Sequence, residues 1–141
     1  MFLGEFTHTI DSKGRLTIPS KFRALIATGL VVTRGFDQNL MVFPIDGWMD
    51  LAYRIAGQPL ADEDMRMFRR RVFSGAADLF LDRQGRILIP EYLRDFADIN
   101  NEVVIAGLFN YFELWNIEKW QTVRDVIENT GNSDRWEDLG V

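Results

Sequence analysis

Two arginines carry the most legible chemistry in this chain. Arg15 closes the run Asp11-Ser12-Lys13-Gly14-Arg15, and Arg86 closes Asp82-Arg83-Gln84-Gly85-Arg86. An aspartate so placed can accept backbone amides two residues on, while Gly14 and Gly85 supply the positive φ that other residues resist, so both runs are expected to form tight turns. One role for the pairs Asp11/Arg15 and Asp82/Arg86 is structural: an ion pair fixing the turn would account for their spacing by itself. The other role is recognition. Lys13, Arg15 and Lys21 in the first run, with Arg83 and Arg86 in the second, cluster on or beside an exposed turn able to enter a DNA groove. There arginine offers a bidentate fork to guanine O6 and N7, and lysine neutralises phosphate.

The elements that must position these turns also come twice. Asp11, Gly14, Arg15, Ile18, Pro19 and Arg23 recur as Asp82, Gly85, Arg86, Ile89, Pro90 and Arg94 at a constant offset of 71 residues, the mark of an internal repeat. Upstream, Phe2/Phe73 and Gly4/Gly75 keep that offset, and downstream Val32/Val104, Gly35/Gly107 and Trp48/Trp120 are matched at 72. In each copy the arginine opens a short apolar strand. The Ile-Pro pair ends it, because the residue before proline is pushed to extended geometry and proline suits the first turn of a helix.

Periodicity fills in the rest. Alternation over residues 6–10 predicts a strand in which His8 is a structural residue. A short helix is expected from Pro19 to Ile26 with Phe22, Leu25 and Ile26 inward, ended by Gly29. Residues 30–33 and 40–43 read as a hairpin. Asp46 is expected to cap a helix through Trp48, Leu51, Ala52 and Ile55, and Asp62-Glu63-Asp64 to start another with Met65, Phe68 and Val72 inward. Arg66, Arg69, Arg70 and Arg71 fall mostly outside that stripe, where salt bridges or subunit contacts compete with phosphate contact. Second-copy strands are expected over 79–82, 86–89, 103–107 and 111–115. Asn116 then caps a helix with the stripe Ile117, Trp120, Val123 and Ile127, and residues 130–141 look frayed apart from Trp136.

The expected fold class is α+β, mainly β with short helices. Its organisation is repeat one over 5–47, a helical linker over 48–75, repeat two over 76–119, and a C-terminal helix and tail over 120–141. Each half is near the size below which a domain cannot bury enough apolar surface alone, so the halves are expected to need each other.

Composition narrows the chemistry. The 141 residues include no cysteine and one histidine, which removes disulfides, cysteine-ligated metal and Cys-His catalysis, and leaves only His8 for a Ser-His-Asp site. No metal, cofactor or small-molecule substrate is expected, and no enzyme. The N-terminus lacks a basic region followed by an apolar run, and no segment approaches a membrane span, so a cytoplasmic protein with no membrane partner is expected. The net charge of −5 is unevenly spread. Residues 1–35 carry +3 and 66–94 carry +4, against −5 for 36–65 and −7 for 95–141, so the two basic blocks are those holding the turns. Eleven Phe and four Trp give more apolar surface than a chain this size readily hides, with self-association as the outlet.

The run Gly4-Glu5-Phe6-Thr7-His8-Thr9-Ile10-Asp11-Ser12-Lys13-Gly14-Arg15-Leu16, followed by Ile18-Pro19 and Lys21-Phe22-Arg23, closely resembles the opening of the bacterial MraZ proteins. Asp82-Arg83-Gln84-Gly85-Arg86-Ile87-Leu88-Ile89-Pro90 and Glu102-Val103-Val104-Ile105 resemble their second half, so the likeness covers nearly the whole chain. It implies two tandem, pseudo-symmetric AbrB-like swapped-hairpin half-barrels forming one barrel-like core and assembling into a homo-oligomeric ring. It also implies a sequence-specific transcriptional regulator, usually a repressor, that binds double-stranded DNA at the promoter of its own division and cell-wall gene cluster and lies on the nucleoid. The Asp-x-x-x-Arg signature of the family maps onto Asp11/Arg15 and Asp82/Arg86. The second copy departs where Lys13 becomes Gln84 and Ser20-Lys21 becomes Glu91-Tyr92, which puts Arg15 first among the candidates.

A single turn neutralising two or three phosphates would bind weakly, with dissociation constants of roughly 10⁻⁴ to 10⁻⁶ M. Neighbouring subunits raise the effective concentration of the next turn. Successive copies in a ring face the DNA in one sense, which predicts direct repeats in the operator, whereas a simple two-fold dimer prefers inverted half-sites. The competing class is an assembly or adaptor protein whose turns grip a protein partner.

Overall fold

The computed structural model describes residues 1–130 and 134–140. The first copy supplies β1 (Glu5–Thr9), β2 (Arg15–Thr17), α1 (Ser20–Arg23) with a 3₁₀ turn at Ala24–Ile26, β3 (Leu30–Arg34), β4 (Leu40–Pro44) and α2 (Ile45–Ala56). After α3 (Glu63–Phe73) the series returns as β5 (Ala77–Leu79), β6 (Arg86–Leu88), α4 (Glu91–Ala97), β7 (Glu102–Gly107), β8 (Phe112–Asn116) and α5 (Ile117–Asn129), with a 3₁₀ helix at Asp134–Leu139. The α+β class is as expected, and where α3 follows α2 in the first copy, the 3₁₀ helix follows α5 in the second.

The halves are joined by exchange. β1 of the first copy pairs with β7 of the second, and β5 of the second pairs with β3 of the first. β4 and β8 meet at the centre with Met41 opposite Glu113, and β2 and β6 form a separate antiparallel ribbon with Leu16 opposite Ile87. In both pairs the central residue faces its own repeat equivalent and the residues flanking it exchange partners, so a pseudo-two-fold axis runs through both centres.

The expected barrel-like core is corrected on one point: the barrel does not close. Six strands form an open sheet, β1-β7-β8-β4-β3-β5, and β2-β6 stands apart from it. Closure fails because the chain leaves each edge strand through an Asp turn, and the ribbon it enters pairs with itself across the axis instead of with the sheet.

Leu30, Val32, Leu40, Val42, Val103, Ile105, Phe112 and Leu114 point from the sheet to one core, alternating along their strands as a pleated sheet requires. Leu16, Ile18, Ile87 and Ile89 of the ribbon, with Phe22 of α1 and Leu93 of α4, close that core from the other side. On the opposite sheet face Val104, Ala106 and Trp115 pack against Trp120 of α5. Glu5 fastens that helix to the sheet edge, accepting from Trp120 Nε1 at 2.8 Å and pairing with Arg124. His8 lies half-buried in β1 opposite Val103, a strand residue as expected.

Several local expectations shift. Leu25 is 39% exposed, because α1 tightens into a 3₁₀ turn after Arg23 and rotates that side chain off the face shared by Phe22 and Ile26. Asp46 lies in the first turn of α2, and Pro44 takes the cap position with no side-chain cap bond, since the helix begins as soon as β4 ends. The strand expected over 79–82 stops at Leu79, where its partner β3 begins at Leu30. Asn116 does cap α5, accepting from the amides of Glu118 and Lys119 at 2.9 Å. Only Trp120 of its stripe is fully buried, and Ile117 and Ile127 face solvent. The tail expected to fray instead has its 3₁₀ helix at Asp134–Leu139, while residues 131–133 and 141 lie outside the described residues.

Candidate nucleic-acid interface

Each Asp turn is built twice on the same bonds. In the first, Asp11 Oδ1 accepts from the amides of Lys13 at 3.0 Å and Arg15 at 2.9 Å, and Oδ2 takes Arg15 Nε at 2.6 Å. In the second, Asp82 Oδ1 accepts from Gln84 at 2.8 Å and Arg86 at 2.9 Å, and Oδ2 takes Arg86 Nε at 2.8 Å. Gly14 and Gly85 sit at φ +90° and +73°, where a side chain would be strained. The ion pair that would fix the turn is therefore present, and it engages Nε. The two terminal nitrogens of Arg15 and Arg86 make no bond among the described residues, which leaves the end-on fork that reads a guanine edge or a phosphate.

Each turn is also locked to the other half. Ile18 N donates to Gly85 O at 2.9 Å, and Ile89 N donates to Gly14 O at 2.9 Å. The turns therefore lie side by side at the ribbon.

Strand alternation then decides what the ribbon presents. Leu16 and Ile87 point into the core, so Arg15, Leu88, Thr17 and Arg86 point outward together. Arg15 faces Leu88 and Thr17 faces Arg86, which makes the two arginines diagonal neighbours, roughly 7–8 Å apart at the backbone. Their side chains keep 36% and 25% of their exposure, and each carries its own aspartate, which limits repulsion between them.

Among the other candidates, Lys13 and Arg83 occupy the exposed tips of the turns. Lys21 is exposed on α1, with its ammonium 5.0 Å from the Phe6 ring centre and 6.0 Å from that of Phe22, and it makes no described contact with the ribbon. Arg69 and Arg71 are turned to the protein itself: Arg71 donates to Gly35 O at 2.7 Å and lies 5.3 Å from the Phe96 ring, and Arg69 lies 5.9 Å from the Phe73 ring. Two residues of the site were given no role from sequence. Arg23 and Arg94 lie against the glycine of the opposite turn, and the signal that could have found them is their recurrence at the repeat offset.

On the far face of the sheet a groove of about 250 Å³ is lined by Phe36, Met41, Phe43, Leu51, Phe68 and Tyr111 among others. Burial, with Glu113 and Asp37 nearby, raises the Tyr111 hydroxyl above the ordinary tyrosine value. The groove does not reach the arginine turns. No group of three or more potential ligands for a metal ion occurs among the described residues, and none of their helices is long and apolar enough to cross a membrane.

The amide of Arg15 is the largest cause holding the Asp11 carboxyl below the ordinary aspartate value, helped by the Arg15 side chain and the Lys13 amide and opposed by partial desolvation. Asp82 is lowered in the same way by Arg86, with Gln84 in place of Lys13. A lowered carboxyl stabilises the fold above its unfolded value, about 3.9, and that contribution is lost as pH falls through the lower folded value. Resistance to urea should therefore fall with acid below about pH 3.9, and Asp11→Asn with Asp82→Asn should flatten the decline. An identical acid profile in that double variant would show that the carboxylates do not hold the turns.

The molecule matches known proteins along nearly its whole length. A family model described as "MraZ protein, putative antitoxin-like" matches residues 1–71 and again 72–138. A protein of Herpetosiphon aurantiacus named "Transcriptional regulator MraZ" is 54% identical over 125 residues, covering 89% of this chain and 87% of the relative. One of the same name from Roseiflexus castenholzii is 52% identical over 91% of this chain and 90% of its own. Another, from Halothermothrix orenii, is 42% identical over 100% of both. A pattern matched once in each half, with relatives alignable end to end, means that this chain belongs to the MraZ family.

Proposed function

We propose that the protein is a sequence-specific DNA-binding transcriptional regulator that reads double-stranded DNA with the paired turns of its ribbon. The observation that carries this reading is the outward face shared by Arg15 and Arg86, each held at Nε by its own aspartate, with its terminal nitrogens unbonded among the described residues. Support also comes from relatives named as transcriptional regulators. Lys13 and Arg83 at the turn tips neutralise phosphate, Lys21 adds charge on the first half, and Asp11, Gly14, Asp82 and Gly85 fix the turns. Repeats 5–47 and 76–119 form the DNA-facing unit as swapped hairpins, with 48–75 and 120–141 as linker and tail.

In this reading the protein acts in the cytoplasm on the nucleoid, as a repressor of the division and cell-wall gene cluster that holds its own gene. It does so as a ring whose successive copies engage direct repeats, because a single turn is too weak alone. No catalytic step, cofactor or small-molecule substrate enters.

The test is footprinting of the DNA upstream of the protein's own gene, with a mass determination in solution. Protection of evenly spaced direct repeats by an oligomer is the expected result. Inverted half-sites would overturn the ring geometry. No shift at low salt, with a protein partner copurifying, would replace the DNA reading with an adaptor role.

A further inference from the structure

Arg23 and Arg94 recur at the repeat offset, yet neither the turns nor the ribbon ladder uses them. Each is tethered within its own half: Arg23 Nε donates to Ile18 O at 2.9 Å, and Arg94 Nε to Ile89 O at 3.0 Å. The tether aims the guanidinium across the pseudo-two-fold axis. A Cβ on Gly14 would lie 2.7 Å from Arg94 Nε and 2.9 Å from its Cζ, and a Cβ on Gly85 would overlap the Arg23 guanidinium in the same way. The missing side chains are what let the two arginines approach.

Both arginines are half-buried, and neither has a carboxylate partner among the described residues. The nearby carboxylates of Asp11 and Asp82 are already taken by Arg15 and Arg86. A partly desolvated guanidinium without a counter-charge is unfavourable until an anion supplies one. Two such groups, one lying against each cationic turn, mark places where an anion is wanted.

We infer that each turn is half of a composite phosphate site completed by the opposite repeat. Lys13, Arg15 and Arg94 surround the first turn, and Arg83, Arg86 and Arg23 surround the second. The ligand is a phosphodiester of the DNA backbone, so the inference rests on the DNA-binding reading. A guanidinium held at Nε and pressed against a glycine has little reach, which suits a phosphate at the groove edge and not a base edge in its floor.

The crossing makes a specific test possible. Affinity for a duplex from upstream of the protein's own gene is measured against salt for Arg94→Gln and Arg23→Gln, alone and combined with Arg15→Ala or Arg86→Ala. Each Gln variant should lower the salt slope by about 0.9 per lost phosphate contact. Arg94→Lys and Arg23→Lys, which keep the charge, should restore it. Arg94→Gln should be non-additive with Arg15→Ala and additive with Arg86→Ala, and Arg23→Gln the reverse. A purely structural tether would move the urea midpoint and leave the slope and this crossed pattern untouched. Unchanged slopes, or coupling of each arginine to its own half, would overturn the inference while wild type and Arg15→Ala still behave as a DNA binder should. Wild-type protein that fails to bind at low salt would sink the DNA reading, and this inference with it.

Discussion

On the proposed DNA-binding reading, Arg15→Ala should leave a folded protein that binds its DNA roughly 5- to 150-fold more weakly, the equivalent of about 1–3 kcal/mol for one lost bidentate contact. The fold should survive because the Asp11 carboxylate keeps its two amide donors, Lys13 and Arg15, whatever the side chain at position 15. Binding should suffer because the terminal nitrogens that the ion pair leaves unused disappear. If Arg15 also meets phosphate, the salt slope falls by about 0.9 per contact. Arg86→Ala should cost less, since the second turn carries Gln84 where the first has Lys13, and α4 opens with Glu91-Tyr92 where α1 opens with Ser20-Lys21. Gel shifts across a salt series measure both, and undiminished binding by Arg15→Ala would remove the ribbon from the mechanism.

Phe22→Ala should be the most destabilising single change in the chain, at about 3–5 kcal/mol. Its ring is fully buried and lies 5.1 Å from Phe2, 5.4 Å from Phe6 and 5.4 Å from Phe112. Phe112 belongs to the second half, so truncation opens a cavity at the joint between repeats. The counterpart in the second repeat is Leu93, fully buried in the same core. Both turns should therefore lose definition together. Denaturant unfolding reads the effect, and a loss below about 1 kcal/mol, the cost of an ordinary substitution, would mean that the shared core is not organised around this ring.

Much of this architecture is legible in the residues themselves. The offset of 71 predicts that β2 and α1 return as β6 and α4, and Asp-x-x-Gly-Arg predicts the turns down to their carboxylate bonds. Which strands pair between halves is a different kind of information. The alternation in residues 6–10 says that one face is covered, but it does not say that β7, nearly a hundred residues away, provides the neighbouring strand. An open sheet was likewise hidden, because the pattern of buried positions is the same whether the ribbon closes a barrel or caps an open sheet. Leu25 and Asp46 moved for local reasons, a tightened turn and a helix starting straight from a strand. Residue type marks Arg15 and Arg86 as candidates, while Arg23 and Arg94 escape notice because what sets them apart is the glycine of the opposite half that each lies against.

The two ends of the ribbon do not carry the same side chains, since the first turn has Lys13 where the second has Gln84. A true homodimer built on the same strand exchange would have interchangeable ends, and could grow only by matching like with like. Fusing the pair into one chain, with different side chains on its two halves, gives the molecule a head and a tail. Polarity of that sort is what a contact must have if copies are to follow one another around a closed circle.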